Sequence, residues 1–178
     1  MTGPLDRIYE RVLVLRCQAG DEAAFAELVA RYAPRLRYYL RRLLDGEPDD
    51  VMQEVWLDVF RGLPRLADAG AFPAWLYRVA RDRALRSLRG RRPVALPDGD
   101  WPDEPDEGLA AEDAAAVHAA MAELPPEQRE VLVLRFVEEM PYDDIARVID
   151  APLGTVRSRL HYAKLALRRV LERREQRG

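Results

Sequence analysis

PVALPDGDWPDEPDEGLAAED, residues 93–113, carries eight acidic side chains and no basic one. Rich in proline and acid, it is poor material for a packed core, and it divides the chain into two unlike halves. Before it, residues 72–92 (FPAWLYRVARDRALRSLRGRR) set seven arginines against Asp82 alone, a local charge of +6. Beyond it, residues 155–178 set seven arginines and Lys164 against Glu172 and Glu175, again +6. The formal charge of −3 hides this pattern: residues 1–92 sum to +4, the linker to −8 and residues 114–178 to +1. Two cationic modules on an acidic tether predict two separate contacts with a polyanion, although solvated helix faces would give the same charge runs.

A chain of 178 residues with such a break fits two small domains, residues 1–92 and 114–178, better than one. Neither half can bury more than a modest core, so partners are expected to contribute to stability. No run of about 18 apolar residues is present. The first turns are interrupted by Asp6, Arg7, Glu10 and Arg11, so the chain reads as soluble, not exported, cytoplasmic and without membrane insertion. Cys17 is the single cysteine, which excludes an internal disulfide and a cysteine-based zinc site within the chain. His118 and His161 stand far apart without ligand-like spacing, so no metal and no cofactor is expected. Nothing matches a nucleophile elbow or a phosphate loop, which argues against an enzyme. Arginine outnumbers lysine 27 to 1, in keeping with a GC-rich genome or with selection for forked phosphate contacts.

Proline and glycine punctuate helix-period patterns throughout, and no alternating run is long enough for a strand, so the fold class is all-α. A first helix over about residues 5–19 ends at Gly20, and Asp21 is placed to cap the next. There Phe25, Leu28, Val29, Tyr32, Leu36, Tyr39, Leu40 and Leu43 recur at steps of three or four and form one buried stripe. After Asp45-Gly46-Glu47-Pro48, Met52, Val55, Trp56, Val59, Phe60 and Leu63 are expected to face inward, with Asp50, Gln53, Glu54 and Asp58 on the opposite side. That acidic face either meets a protein or is plain solvated surface.

Residues 62–71 read as a loop, and the helix after it carries Phe72, Trp75, Leu76 and Val79 on a short apolar side that Arg83 and Arg86 then interrupt. Arg78, Arg81 and Arg89 share a flank with Trp75 and Tyr77 nearby. Cations interleaved with aromatics suit single-stranded nucleic acid, because phosphates need charge and unpaired bases need flat faces. Beyond the linker, residues 109–124 form an alanine-rich helix and residues 127–140 a central buried one. Residues 142–149, the short turn Asp150-Ala151-Pro152, and a helix opening at about Gly154 or Thr155 make a helix-turn-helix. Its second helix has a seam of Val156, Leu160, Ala163, Leu167 and Val170. Opposite lie Arg157, Ser158, His161, Tyr162, Lys164 and Arg168, donors suited to base edges and phosphates of duplex DNA.

With these residues in view, the sequence resembles the extracytoplasmic-function (ECF) sigma factors, two-domain initiation subunits of bacterial RNA polymerase. Three stretches carry the resemblance in order: GDEAAFAELVARYAPRL with DDVMQEVWLDVFRGL; FPAWLYRVARDRALRSLRGRR; and LPPEQREVLVLRFVEEMPYDDIARVIDAPLGTVRSRLHYAKLALRRVL. The resemblance implies two domains, region 2 over residues 1–92 and region 4 over residues 114–178. It implies that Asp50, Gln53, Glu54 and Asp58 dock on core RNA polymerase. It further implies that residues 62–74 capture a flipped base of the −10 element, with Trp75, Arg78, Arg81 and Arg83 beside the melting strand. Thr155, Arg157, Ser158, Arg159, His161 and Lys164 would meet −35 duplex DNA, and the linker would thread toward the polymerase active-site cleft. An anti-sigma factor is a further family-level partner that no residue here demands. Asp82 departs from the family's usual asparagine, Pro141 from a capping serine, and Tyr162 and Lys164 from arginines. A stand-alone helix-turn-helix regulator and a sigma-like decoy that binds only an anti-sigma factor remain as alternatives.

Overall fold

The computed structural model describes residues 3–44, 46–88 and 114–176, and they form helices joined by turns with no strand among them. By its internal contacts the chain separates into two compact units, Met1–Arg91 and Arg92–Gly178. The expected acidic linker lies outside the described residues, as do Arg89, Arg91, Arg92 and the start of the alanine-rich helix.

The first unit contains α1 (Pro4–Gln18), α2 (Glu22–Leu43), α3 (Asp49–Gly62) and α4 (Phe72–Ser87). Gly20, at φ 86, takes the left-handed turn that ends α1. Asp21 then accepts a hydrogen bond from the Ala24 amide at 3.0 Å and caps α2. That bond, followed by the Arg16 guanidinium, holds the Asp21 carboxyl below its ordinary range. Along α2 the three-and-four spacing buries Leu28, Tyr32, Leu36, Tyr39 and Leu40, while Phe25, Val29 and Leu43 lie half-buried at the margin. α1 packs on α2, α3 on α4, and α2 on both α3 and α4. Two edge-on aromatic pairs tie α2 to α4: Tyr32 with Phe72 at 5.4 Å and Tyr39 with Tyr77 at 5.1 Å.

Two expectations change here, one in each direction. Phe60 is 60 % exposed, because α3 turns Met52, Val55 and Val59 toward the core and leaves residue 60 on the rim. Tyr77 is fully buried against Tyr39, so it belongs to the core and not to a surface that could stack on bases. α1 carries a second apolar side, Leu5, Ile8, Tyr9, Val12 and Leu15, that is exposed.

The second unit contains α5 (Ala114–Met121), α6 (Pro126–Leu132), a wider π-helical turn at Val133–Val137, α7 (Tyr142–Ile149) and α8 (Leu153–Glu175). The central helix therefore does not run regularly to residue 140; the Glu138 amide reaches the Val133 carbonyl at 3.0 Å, and Glu139 turns left-handed at φ 55. Arg129 donates to the carbonyls of Met121, Ala122 and Leu124 and so closes the C-terminal end of α5. Pro141 precedes the first turn of α7 as its cap residue, without a side-chain bond. Asp150, at φ 51, makes the tight turn between α7 and α8, and α8 opens at Leu153, about half a turn earlier than the sequence indicated. Val156, Leu160, Ala163, Leu167 and Val170 all bury, as their spacing requires.

Candidate nucleic-acid and protein interfaces

α3 presents Asp50, Gln53 and Glu54 to solvent, with Asp58 half-buried at the same edge. Beside them an open groove of about 720 Å³ runs between α2 and α3, lined by Phe25, Val29, Met52, Gln53, Trp56 and Leu57. Phe25 stands edge-on to Trp56 at 6.3 Å and to Phe60 at 5.3 Å. The Trp56 indole Nε1 is buried without a hydrogen-bond partner among the described residues. Leu57, 52 % exposed, and Phe60 therefore leave an apolar strip beside carboxylates, the composition of a protein-binding surface more than of a DNA-binding one. Phe60 was expected to face inward, and Leu57 did not stand out in the sequence. Leu57 carried the one available signal, an apolar side chain one turn from Gln53 on the polar side of α3.

On α4 the predicted DNA residues separate. Trp75 is half-buried, inclined to Phe72 at 6.1 Å, and its ring passes so close to Gly62 that a Cβ there would stand 2.8 Å from it. Arg78 is exposed and Arg81 half-buried on the same helix, with Asp82 exposed between them and Arg83. Arg83 turns the other way. Its Nε donates to Asp58 at 2.5 Å and its Nη1 to Glu54 at 3.1 Å, so it joins α4 to the acidic edge of α3. The Asp58 bond raises the guanidinium above its ordinary value, and in this arrangement Arg83 neutralises two of the carboxylates assigned to a protein partner.

On α8, Thr155, Arg157, Arg159, His161 and Lys164 are half-buried, and Arg159, three residues after Val156 and four before Ala163, borders the apolar seam. His161 and Tyr162 stand edge-on at 5.7 Å. Ser158 is the exception and a correction to the sequence reading. It is 3 % exposed, and its hydroxyl donates to the Thr155 carbonyl at 3.0 Å, one helical turn back. Its hydroxyl is thus engaged within its own helix, and the side chain is not part of an exposed face.

The two units match known families separately. Residues 28–94, most of α2 through α4, match "Sigma-70 region 2", and residues 114–167, α5 through most of α8, match "Sigma-70, region 4". The RNA polymerase sigma-H factor of Pseudomonas aeruginosa is 35 % identical over 184 residues, which cover 92 % of this chain and 94 % of that protein. The chain belongs to the ECF sigma factors. The ECF RNA polymerase sigma-E factors of Haemophilus influenzae and Escherichia coli K12 are 33 % and 32 % identical, over 89 % and 91 % of this sigma factor and 93 % and 94 % of theirs. Two solved structures share the fold. CnrH, in complex with the cytosolic domain of CnrY, aligns at a TM-score of 0.66 with 24 % identity, over 92 % of this chain and 97 % of that one. RpoE of Bartonella quintana, in complex with the anti-sigma factor NepR, aligns at 0.64 with 19 % identity, over 83 % and 96 %. The function of the chain is thus that of its family, promoter-specific initiation of transcription. α1 and the start of α2 precede the region 2 match.

Proposed function

We propose that this sigma factor engages core RNA polymerase through the α3 edge and the groove beside it. In this reading it captures −10 DNA with residues 62–74 and α4, and reads −35 duplex with α8. The observation that carries the reading is the α3 edge. Asp50, Gln53 and Glu54 stand in solvent beside exposed Leu57 and Phe60, so a partner helix could bury apolar surface while the polar row fixes its register. On α4, exposed Arg78 beside Trp75 supplies a phosphate contact and a flat face, as single-stranded DNA needs. Arg83 is reassigned from DNA to the α3 edge, where it orients Asp58 and Glu54. On α8, Arg157, Arg159, His161 and Lys164 take the duplex contacts, with Thr155 at the start of the face and without the Ser158 side chain.

The chain itself performs no chemistry in this reading; bond formation belongs to the polymerase, and the site of action is the cytoplasm. An anti-sigma factor acting on this chain would have to cover the same groove or the α8 face to silence it. Equilibrium binding of the purified chain to bacterial core RNA polymerase tests the proposal, with the Gln53→Ala, Glu54→Ala double variant and Leu57→Asp beside it. Both changes lie at exposed positions, so folding is expected to persist, and each is expected to weaken binding about tenfold or more. No binding by a folded wild-type chain would overturn the proposal.

A further inference from the structure

The loop between α3 and α4 is held from behind by a helix that precedes the region 2 match. The Gln18 side-chain amide donates two hydrogen bonds from Nε2, to the Leu63 carbonyl at 3.0 Å and to the Leu66 carbonyl at 2.8 Å. These are the two ends of the first tight turn of the loop, which the Leu66 amide closes on the Leu63 carbonyl at 3.1 Å. Both hydrogens of one amide are therefore engaged on backbone 45 and 48 residues away. The second turn is fixed independently. Asp68 accepts from the Gly70 amide at 2.8 Å, and the Arg11 guanidinium lies where a Cβ on Gly70 would be, 2.5 Å from its Nη2 and 2.7 Å from its Nε. On the outer side Pro64, Arg65, Ala67 and Asp68 are exposed. One side of the loop is thus anchored to α1, and the other faces solvent.

We propose that α1 sets base selectivity at the −10 element, with Gln18 as a positioning residue that shapes the base-capturing loop. The inference rests on the assignment of −10 capture to residues 62–74. Flipping a base out of a stack is unfavourable, and a pocket recovers that loss only if it is already formed when the base arrives. A loop that had to order itself around the base would bind more weakly and would distinguish bases less, because its contacts could rearrange to suit each one.

The test uses holoenzyme assembled from the full chain and core polymerase, with forked DNA whose −10 non-template strand is single-stranded. 2-Aminopurine beside the captured position reports unstacking by its fluorescence, and titrations with each base at that position give the discrimination ratio. Gln18→Leu, close in size but without donors, is expected to leave polymerase affinity and −35 duplex binding unchanged. It is expected to lower −10 strand affinity about tenfold and to bring the discrimination ratio toward one. Should Gln18→Leu unfold, Gln18→Asn, polar but one methylene too short to reach both carbonyls, carries the same expectation. Full capture and full discrimination by a folded variant would overturn the role of α1. A wild-type holoenzyme that fails to capture the strand would instead overturn the −10 assignment on which the inference stands.

Discussion

Tyr32 donates its hydroxyl to the Glu10 carboxylate inside the first unit, and both residues are buried. Burial, then the neighbouring carboxylate, push the Tyr32 phenol far above its ordinary value. In the unfolded chain the phenol ionises near pH ~10, whereas in the folded chain it stays protonated well beyond that. Its contribution to stability is therefore complete below pH ~10 and is lost as pH rises toward the folded value, because the unfolded state gives up its proton first. Urea midpoints measured from neutral pH to above pH ~10 should fall more steeply for the wild type than for Tyr32→Phe. Tyr9, at the surface on Glu27, is raised as well, but it is common to both proteins and cancels in the comparison. Near neutrality the same substitution takes a donor from a buried carboxylate and is expected to cost about 1–3 kcal/mol. Equal alkaline slopes would show that Tyr32 takes no part in the linkage.

At the scale of the element, α8 divides its work by face. The apolar seam from Val156 to Val170 fixes the helix in the unit, and the DNA contacts are proposed for other side chains of the same helix. If Arg157 and Arg159 each meet a phosphate, replacing either by alanine lowers the slope of log K against log salt on −35 duplex by about 0.9. Ser158→Ala should leave both affinity and slope unchanged, since its hydroxyl is already bound within the helix. A loss with Ser158→Ala equal to that with Arg157→Ala would place the serine back at the DNA. The seam was legible in the sequence because one helix determines it, and the same holds for Leu28, Tyr32, Leu36, Tyr39 and Leu40 on α2. The positions that misled depend on neighbours. Spacing alone could not show that Phe60 lies on the rim of α3 or that Tyr77 meets Tyr39. Nor could it join Arg83 to Asp58, or Gln18 to Leu63, since each pair lies 25 or 45 residues apart and meets only once the helices pack. The Ser158 difference is of another kind: its place opposite the seam suggested exposure, and the side chain is buried on its own helix.

At the scale of the whole molecule, the two units close separate cores, and their described helices differ in tryptophan. Trp56 and Trp75 lie in the first unit, Trp101 in the acidic linker, and residues 114–178 contain none. Leu36 is fully buried in α2, so Leu36→Ala removes apolar contact and leaves a cavity worth about 2–5 kcal/mol. In a domain this small that is a large part of the available stability. The unfolding transition seen by tryptophan fluorescence should therefore move to markedly lower denaturant. Amide exchange along α6 and α8, and binding of −35 duplex, should stay as in the wild type, because Val131 and Leu160 bury within the second unit. Promoter opening by the holoenzyme would nevertheless fall, since polymerase docking and −10 capture are assigned to the weakened unit. Parallel loss of exchange protection in α8 would mean that the units fold as one, and the acidic tether would then have to act as part of the structure instead of as a spacer between two independent contacts.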